Sequence, residues 1–385
     1  MLDKKPALLP IIIYIALFYI PFYVFGMDIQ TSIPFTSKTQ GYDTYRIPSI
    51  IETNNGTLIA FSEGRRNSAS DTGDIDLVSR RSHDGGRTWE TMRVLWDDGE
   101  NTCGNPCPVI DSTGTIHLLL TWNRGDDKES QIIAQTSNDT RRVFVISSFD
   151  HGETWTRPTE ITESTKQKQW TWYATGPGAG IRIQKGPNAG RLVIPCDHVE
   201  SDSKIMRSHI IYSDNNGNTW NIGGIAPKPQ TNECEVAELP DHSLQLNMRN
   251  YDRSIPSRQI CYSKDGGNTW VDQRHDRTLI EPVCQASFRR VGTDNGNEMK
   301  YLFSNPASEK NRERMTIRMS DDGAKTWKYS RCVDDRPAAY SCLVVLKDGT
   351  FGCLYETGNR NPYETIVFIR FDEIWLKNST DSDSE

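Results

Sequence analysis

Three absences narrow the chain before any motif is read. The sequence has no excess of positive charge. Its 44 Lys and Arg stand against 51 Asp and Glu, a formal net charge of −7, which argues against non-specific nucleic-acid binding. An acidic small molecule stays admissible, because it answers to local arginines rather than to net charge. Sustained helical periodicity is missing after residue 26, and short β-rich runs take its place. Zinc-type cysteine spacing is also missing, and the nine cysteines (103, 107, 196, 234, 261, 284, 332, 342 and 353) are an odd number. Cys103 and Cys107 are close enough for a small loop bridge; most of the set is expected as buried thiols in strands.

One long apolar run is present. Residues 7–26 (ALLPIIIYIALFYIPFYVFG) follow Lys4 and Lys5. Twenty such residues can span a bilayer as one apolar helix, and the basic flank favours an inside N-terminus with the remainder exported. A cleaved signal peptide is the competing reading, with Val24 and Gly26 in the cleavage pattern. Residues 1–27 are therefore a signal or an anchor. Either one puts residues 28–376 on the extracytoplasmic side, secreted or membrane-anchored. Asn55, Asn138 and Asn378 open N-x-[ST] sequons, which a eukaryotic secretory route would glycosylate. Residues 377–385 (KNSTDSDSE) read as a polar, disordered tail.

What the chain has in abundance is one turn. Residues 82–89 (SHDGGRTW), 148–155 (SFDHGETW), 213–220 (SDNNGNTW), 263–270 (SKDGGNTW) and 320–327 (SDDGAKTW) share the pattern S-x-D-x-G-x-T-W. Asn215 takes the Asp slot in the third copy and Ala324 the Gly slot in the fifth. Self-similarity at this spacing marks a repeat architecture. Asp accepts backbone hydrogen bonds, Gly supplies a backbone conformation closed to other residues, and Thr-Trp begins the next strand. Each copy predicts a rigid hairpin turn tucked against its own sheet.

A second repeat interlocks with the first. Tight turns at 54–56, 113–114, 186–188, 240–242, 293–296 and 348–349 separate pairs of β-rich runs, the signature of hairpins. The first five hairpins are each followed by a box turn, which gives four strands per unit. The sixth lacks a box, and an N-terminal strand after Ile29 completes it. The chain is thus predicted all-β: a six-bladed β-propeller of four-stranded antiparallel blades, closed without free sheet edges and preceded by one N-terminal apolar helix.

Candidate chemistry lies where innermost strands begin. Tyr45-Arg46-Ile47-Pro48 opens the first unit, Arg249 ends a strand of the fourth, and Arg312 precedes a strand of the fifth. Three arginines on different blades can converge on one carboxylate, since guanidinium is planar, permanently charged and bidentate toward it.

These residues, the five Asp boxes and Ala339-Tyr340-Ser341-Cys342-Leu343 resemble the exo-sialidase (neuraminidase) family of bacterial and animal type, over roughly residues 40–356. The box alone is weak for function, since non-enzymatic propellers also carry it. The resemblance implies that Arg46, Arg249 and Arg312 grip the substrate carboxylate. It makes Asp71 the acid/base, Tyr340 the nucleophile and Glu233 the base paired with that Tyr, with Glu235 and Glu238 as local rivals. Arg65 would contact the sugar near O4, and Glu356 would steady the first triad arginine. Trp122 and Tyr173 would line the N-acetyl pocket. Asn105 stands where several relatives carry Asp, which leaves the O4 and N-acetyl contacts open.

The chemistry is coherent from the residues upward. Sialic acid carries a carboxylate on its anomeric carbon, which repels a carboxylate nucleophile but not a neutral Tyr hydroxyl, a recognised exception among glycosidases. Free Tyr titrates near 10 and needs an adjacent base. Two displacements then give net retention. The expected activity is a retaining exo-α-sialidase on glycoproteins, glycolipids or oligosaccharides, with no metal or other cofactor. A trans-sialidase and a non-catalytic lectin or receptor propeller are the alternatives.

Overall fold

The structure is a computed structural model and describes Met1, residues 27–292 and residues 299–378. The apolar run 7–26, the turn at 293–296 and residues 379–385 of the expected tail lie outside the described residues. Lys377, the first residue of that expected tail, instead ends the short helix Glu373–Lys377, where its ammonium pairs with Glu373. Among the described residues there are twenty-four strands and three helices of four to six residues. No described helix is long and apolar enough to cross a membrane.

The strands make four hydrogen-bonded sheets. The simplest runs Thr231–Glu238, Leu244–Asn250, Ser257–Ser263 and Val271–Ile280, antiparallel and in chain order. An eight-stranded sheet holds two such sets. Thr44–Glu52, Leu58–Arg65, Ile75–Ser82 and Arg93–Trp96 form one, and Thr102–Ile110, Ile116–Asn123, Arg142–Ser148 and Thr159–Glu160 the other. One parallel bridge, Ile75 to Thr102, joins them. In the five-stranded sheet, Trp170–Thr175, Leu192–Glu200, Met206–Ser213 and Asn221–Ile225 follow in order, with Ile181–Arg182 also on Leu192–Glu200.

The seven-stranded sheet is continuous because one strand serves twice. Tyr329–Val345 pairs through its first half with Glu313–Ser320 and through its second half with Phe351–Thr357. Gln30–Thr36 adds antiparallel to Thr365–Phe371. The N-terminal strand thus extends the last sheet, as expected for the unit that lacks a box.

All nine cysteines are free, so Cys103 and Cys107 form no bridge. Both lie in the strand Thr102–Ile110 with their side chains in the core. Seven of the nine sit in strands as buried thiols; Cys332 is a half-buried strand residue and Cys284 a buried loop residue.

The box turns are built as the sequence implied. Asp84 accepts from Thr88 N at 3.0 Å and from Thr88 Oγ1 at 2.6 Å, while Gly86 N donates to Ser82 Oγ at 2.8 Å. Asn215 still accepts from Thr219 N, at 2.9 Å, but its amide donates to Thr219 Oγ1 where an Asp would accept. Their docking differs from expectation. Four of the boxes reach the four-strand set before their own, and the first reaches the last sheet. Trp89 packs edge-on against Phe368, Trp155 against Phe61 and Trp220 against His117. Trp270 Nε1 donates to Gly224 O and Trp327 Nε1 to Asp276. The boxes are latches across seams, because a Trp ring buries more apolar area between two sheets than on the rim of one.

Gly86 gives this a measurable edge. Its φ is +85°, and a Cβ there would stand 2.1 Å from the Phe368 ring; Gly56 has φ +88° with nothing within 4 Å. Gly56→Ala should therefore cost about 1 kcal/mol of left-handed strain. Gly86→Ala should cost about 2–4 kcal/mol, because overpacking adds to that strain. Urea midpoints of the two variants check the difference, and equal losses would refute the latch.

Candidate active site

Four of the strands that begin these four-strand sets carry a break in register near their start, and Tyr329–Val345 carries one where its second half begins. The breaks fall between Arg46 and Ser49, Gly104 and Cys107, Trp170 and Tyr173, Thr231 and Cys234, and Ala338 and Ser341. A bulge re-aims the side chain it carries. Arg46, Asn105, Trp172, Glu233 and Tyr340 all stand at these breaks and line one cleft of about 140 Å³. Ile47 and Asn105 have φ of 60° and 55°, a region that costs a β-branched residue most. Such strain persists only where neighbours hold it; Ile47 N donates to Glu356 Oε1 at 2.8 Å.

Glu356 is wholly buried and ties two functions together. It accepts from Arg46 Nε at 2.8 Å and from Tyr340 N at 3.1 Å. Tyr340 Oη donates to Glu233 Oε1 at 2.6 Å, and Arg249 Nη1 donates to Glu233 Oε2 at 2.6 Å and to Tyr340 Oη at 3.0 Å. Burial pushes the Tyr340 hydroxyl well above its ordinary pKa and the charge of Glu233 adds to that, against the pull of Arg249 and Arg312. The resting hydroxyl is therefore neutral, with a carboxylate oxygen already at its proton. Arg312 borders the same ring, its guanidinium carbon 5.6 Å from the Tyr340 centroid.

Asp71 stands at the mouth, its side chain 63% exposed, 2.8 Å from Arg65 Nη1 and 3.8 Å from Arg46 Nη1. Burial among protein atoms raises its pKa, but the charges of Arg65 and Arg46 outweigh this and hold it below the ordinary value. Arg65 is fixed by Glu63, whose Oε2 accepts from Nε at 2.9 Å and from Nη2 at 2.6 Å.

The far wall is polar. Arg141 Nη2 donates to Asn105 Oδ1 and to Thr121 Oγ1, and the guanidinium lies 3.8 Å above the Trp172 ring. Asn105 thus holds Arg141 as well as lining the cleft. Asp197 is fully buried. Its Oδ1 accepts from Asn232 Nδ2 at 2.7 Å, while Oδ2 has no hydrogen-bond partner. Burial first, then the charge of Glu233, drive its pKa well up. Glu129 and Tyr251 complete the lining.

Nine of the eleven expected site residues gather here, eight of them on the cleft surface and Glu356 directly behind it. Trp122 and Tyr173 do not. Trp122 Nε1 donates to Asp98 at 2.7 Å, outside the cleft. Tyr173 points into the core, where its hydroxyl meets Thr165 O and His209. The strand alternates, so Trp172 and Ala174 line the cleft in its place. The rivals of Glu233 are occupied elsewhere. Glu235 accepts from Ser287, Phe288 N and Ala179 N, and Glu238 from Gln184 N and Lys185 N. Sequence reading missed Arg141, Trp172, Asp197 and Glu129; period-two alternation was the available signal for Trp172. Among the described residues no three His, Cys, Asp or Glu side chains converge as metal ligands.

Residues 56–353 match the model of the BNR repeat-like domain family. A sialidase of Bacteroides fragilis is 34% identical over 354 residues, 86% of this chain and 62% of that protein, so the chain spans under two thirds of that relative. An exo-alpha-sialidase of Aspergillus fumigatus is 30% identical, covering 88% of this chain and 86% of its own length. Among solved structures, a Hadza microbial sialidase superposes with a TM-score of 0.79 at 33% identity, over 87% of this chain and 67% of that one. The all-β fold is that of these neighbours, which are β-propellers. The chain belongs to the sialidase family.

Proposed function

We propose that the chain is a retaining exo-α-sialidase built as six four-stranded blades, releasing terminal sialic acid from glycoproteins, glycolipids or oligosaccharides. Six blades follow if the parallel bridge at Ile75 and the shared strand Tyr329–Val345 are taken as joints between neighbouring sets. The observation that carries the activity is the 2.6 Å hydrogen bond from Tyr340 to Glu233 beside three converging arginines.

Arg46, Arg249 and Arg312 bind the substrate carboxylate and set the anomeric carbon over Tyr340 Oη. The Tyr340 proton passes to Glu233 as the Oη–C2 bond forms. The C2–O bond to the leaving group breaks, and Asp71 protonates the departing oxygen. Asp71 then removes a proton from water, water attacks C2, and Tyr340 leaves with its proton returned by Glu233. Two displacements at one carbon retain configuration. The triad also offsets charge while the oxocarbenium-like state forms.

A 3-fluorosialosyl fluoride should lose fluoride and add one 3-fluorosialyl mass to the protein, and peptide mapping should place it on Tyr340; an unlabelled protein that still turns over sialosides would sink the Tyr-linked intermediate. The same preparation, assayed on α2,3-, α2,6- and α2,8-linked substrates with and without lactose, separates hydrolysis from sialyl transfer, and absence of release on every linkage would support a lectin. Residues 1–27 are proposed as the signal or anchor that exports the domain. Detection of the protein in cytosol alone would contradict that.

A further inference from the structure

The three carboxylate-binding arginines are not held alike. Arg46 is paired with Glu356 and Arg249 with Glu233. Among the described residues Arg312 has no carboxylate partner. Its Nη1 donates to Tyr363 Oη at 3.0 Å and its Nη2 to Val283 O at 3.2 Å. The Tyr363 ring lies under the other end of the triad as well, 4.0 Å from the Arg46 guanidinium carbon. One side chain therefore touches two of the three arginines, one through its ring face and one through its hydroxyl.

Its own placement is fixed. Tyr363 N donates to Asn361 Oδ1 at 2.9 Å, its carbonyl accepts from Ser37 Oγ at 2.7 Å, and its ring packs against the cluster of Ile47, Cys284, Ala339 and Tyr340. It is not among the residues that line the cleft.

We propose that Tyr363 is a positioning residue for the carboxylate subsite, acting through Arg312 and Arg46. A carboxylate partner would align Arg312 but cancel its charge. A neutral phenol aligns it and leaves the charge for the substrate. The cation–π contact does the same for Arg46, whose charge Glu356 already shares. Arg312 thus supplies the largest unshared positive charge at the subsite, and it is aimed by the Tyr363 hydroxyl together with the carbonyl of Val283.

This inference rests on the sialidase reading, and the experiment separates the two. Binding of the 2,3-didehydro-2-deoxy analogue of sialic acid is measured by calorimetry, and turnover of an aryl sialoside in parallel, for the wild type, Tyr363→Phe, Arg312→Ala and the double variant. Phe keeps the ring on Arg46 and removes the hydroxyl. A hydrogen bond to a charged group is worth about tenfold or somewhat more in binding. Tyr363→Phe should therefore raise Kd and KM by roughly tenfold while kcat moves by less than about threefold. In the Arg312→Ala background the second substitution should change Kd by less than about twofold, because the arginine it aims is gone. Equal losses in both backgrounds would show a merely structural role and overturn the proposal, as would an unchanged Kd in Tyr363→Phe. A wild type that neither binds the analogue nor turns over the sialoside would instead overturn the sialidase reading. Melting curves confirm that each variant is folded.

Discussion

Tyr340→Phe is expected to lower kcat/KM for an aryl α-sialoside by about 10⁴-fold with the fold intact. Losing an activated serine nucleophile costs about 10⁶-fold in a protease. The loss here is smaller because an oxocarbenium-like state can still form over the arginine triad with Asp71 in place. Phe fills nearly the same space, so the 5%-exposed site stays packed. Tyr340→Ala carries the argument further. It opens room beneath the anomeric carbon, and water entering there attacks from the face the hydroxyl held. Its residual product should be the inverted anomer, which proton NMR at early times distinguishes. Retention in the Ala variant, or Phe turnover near that of the wild type, would place the nucleophile elsewhere.

The second large effect is at Asp71. Asp71→Asn should reduce kcat by about 10²–10⁴-fold on a sialyl-sugar, the range of general acid–base catalysis. An aryl sialoside should lose far less in the first displacement, because a phenolate leaves without a proton. The pH profile follows from the pair of arginines beside this carboxyl. A general acid must be protonated, so activity is lost as pH rises through its pKa. In the free protein Arg65 and Arg46 hold that pKa below the ordinary carboxylate value. A bound substrate carboxylate offsets the charge of Arg46 and excludes water, and both changes raise it. The alkaline limb should therefore lie at higher pH in kcat than in kcat/KM, and Asp71→Asn should abolish it in both. A limb at the same pH in the two profiles would remove Arg46 from the account.

Much of this was legible because the boxes are periodic. They phase the chain, and that phasing put Arg46 and Glu233 near the starts of their strands and Tyr340 near the start of the second half of Tyr329–Val345, all of which the structure brings to one cleft. The charged partners followed from the resemblance rather than from spacing: Arg46 and Glu356 are 310 residues apart, and no local pattern joins them. Trp122 and Tyr173 show the limit. Tyr173 is in a strand that reaches the cleft, but a bulge between Trp170 and Tyr173 resets which face meets it, and one residue of slip exchanges the faces; Trp122 is in the second strand of its set, Ile116–Asn123, with its indole on Asp98 outside the cleft. Arg141, Asp197 and Glu129 were hidden for another reason. Each is an ordinary charged residue until burial and neighbours make it unusual. The seam-crossing tryptophans were misassigned because a turn motif specifies its own hydrogen bonds and says nothing of the surface it lands on.

The pairing of Gln30–Thr36 with Thr365–Phe371 has a consequence for how the chain is made. At about 5–20 residues per second of synthesis, the first strand waits roughly 15 to 65 seconds for its partner to be translated. Trp89 waits roughly 14 to 56 seconds, since the ring it packs against is Phe368. For that interval the nascent protein carries an unpaired edge and an uncovered indole at its N-terminal end, and ring closure comes last.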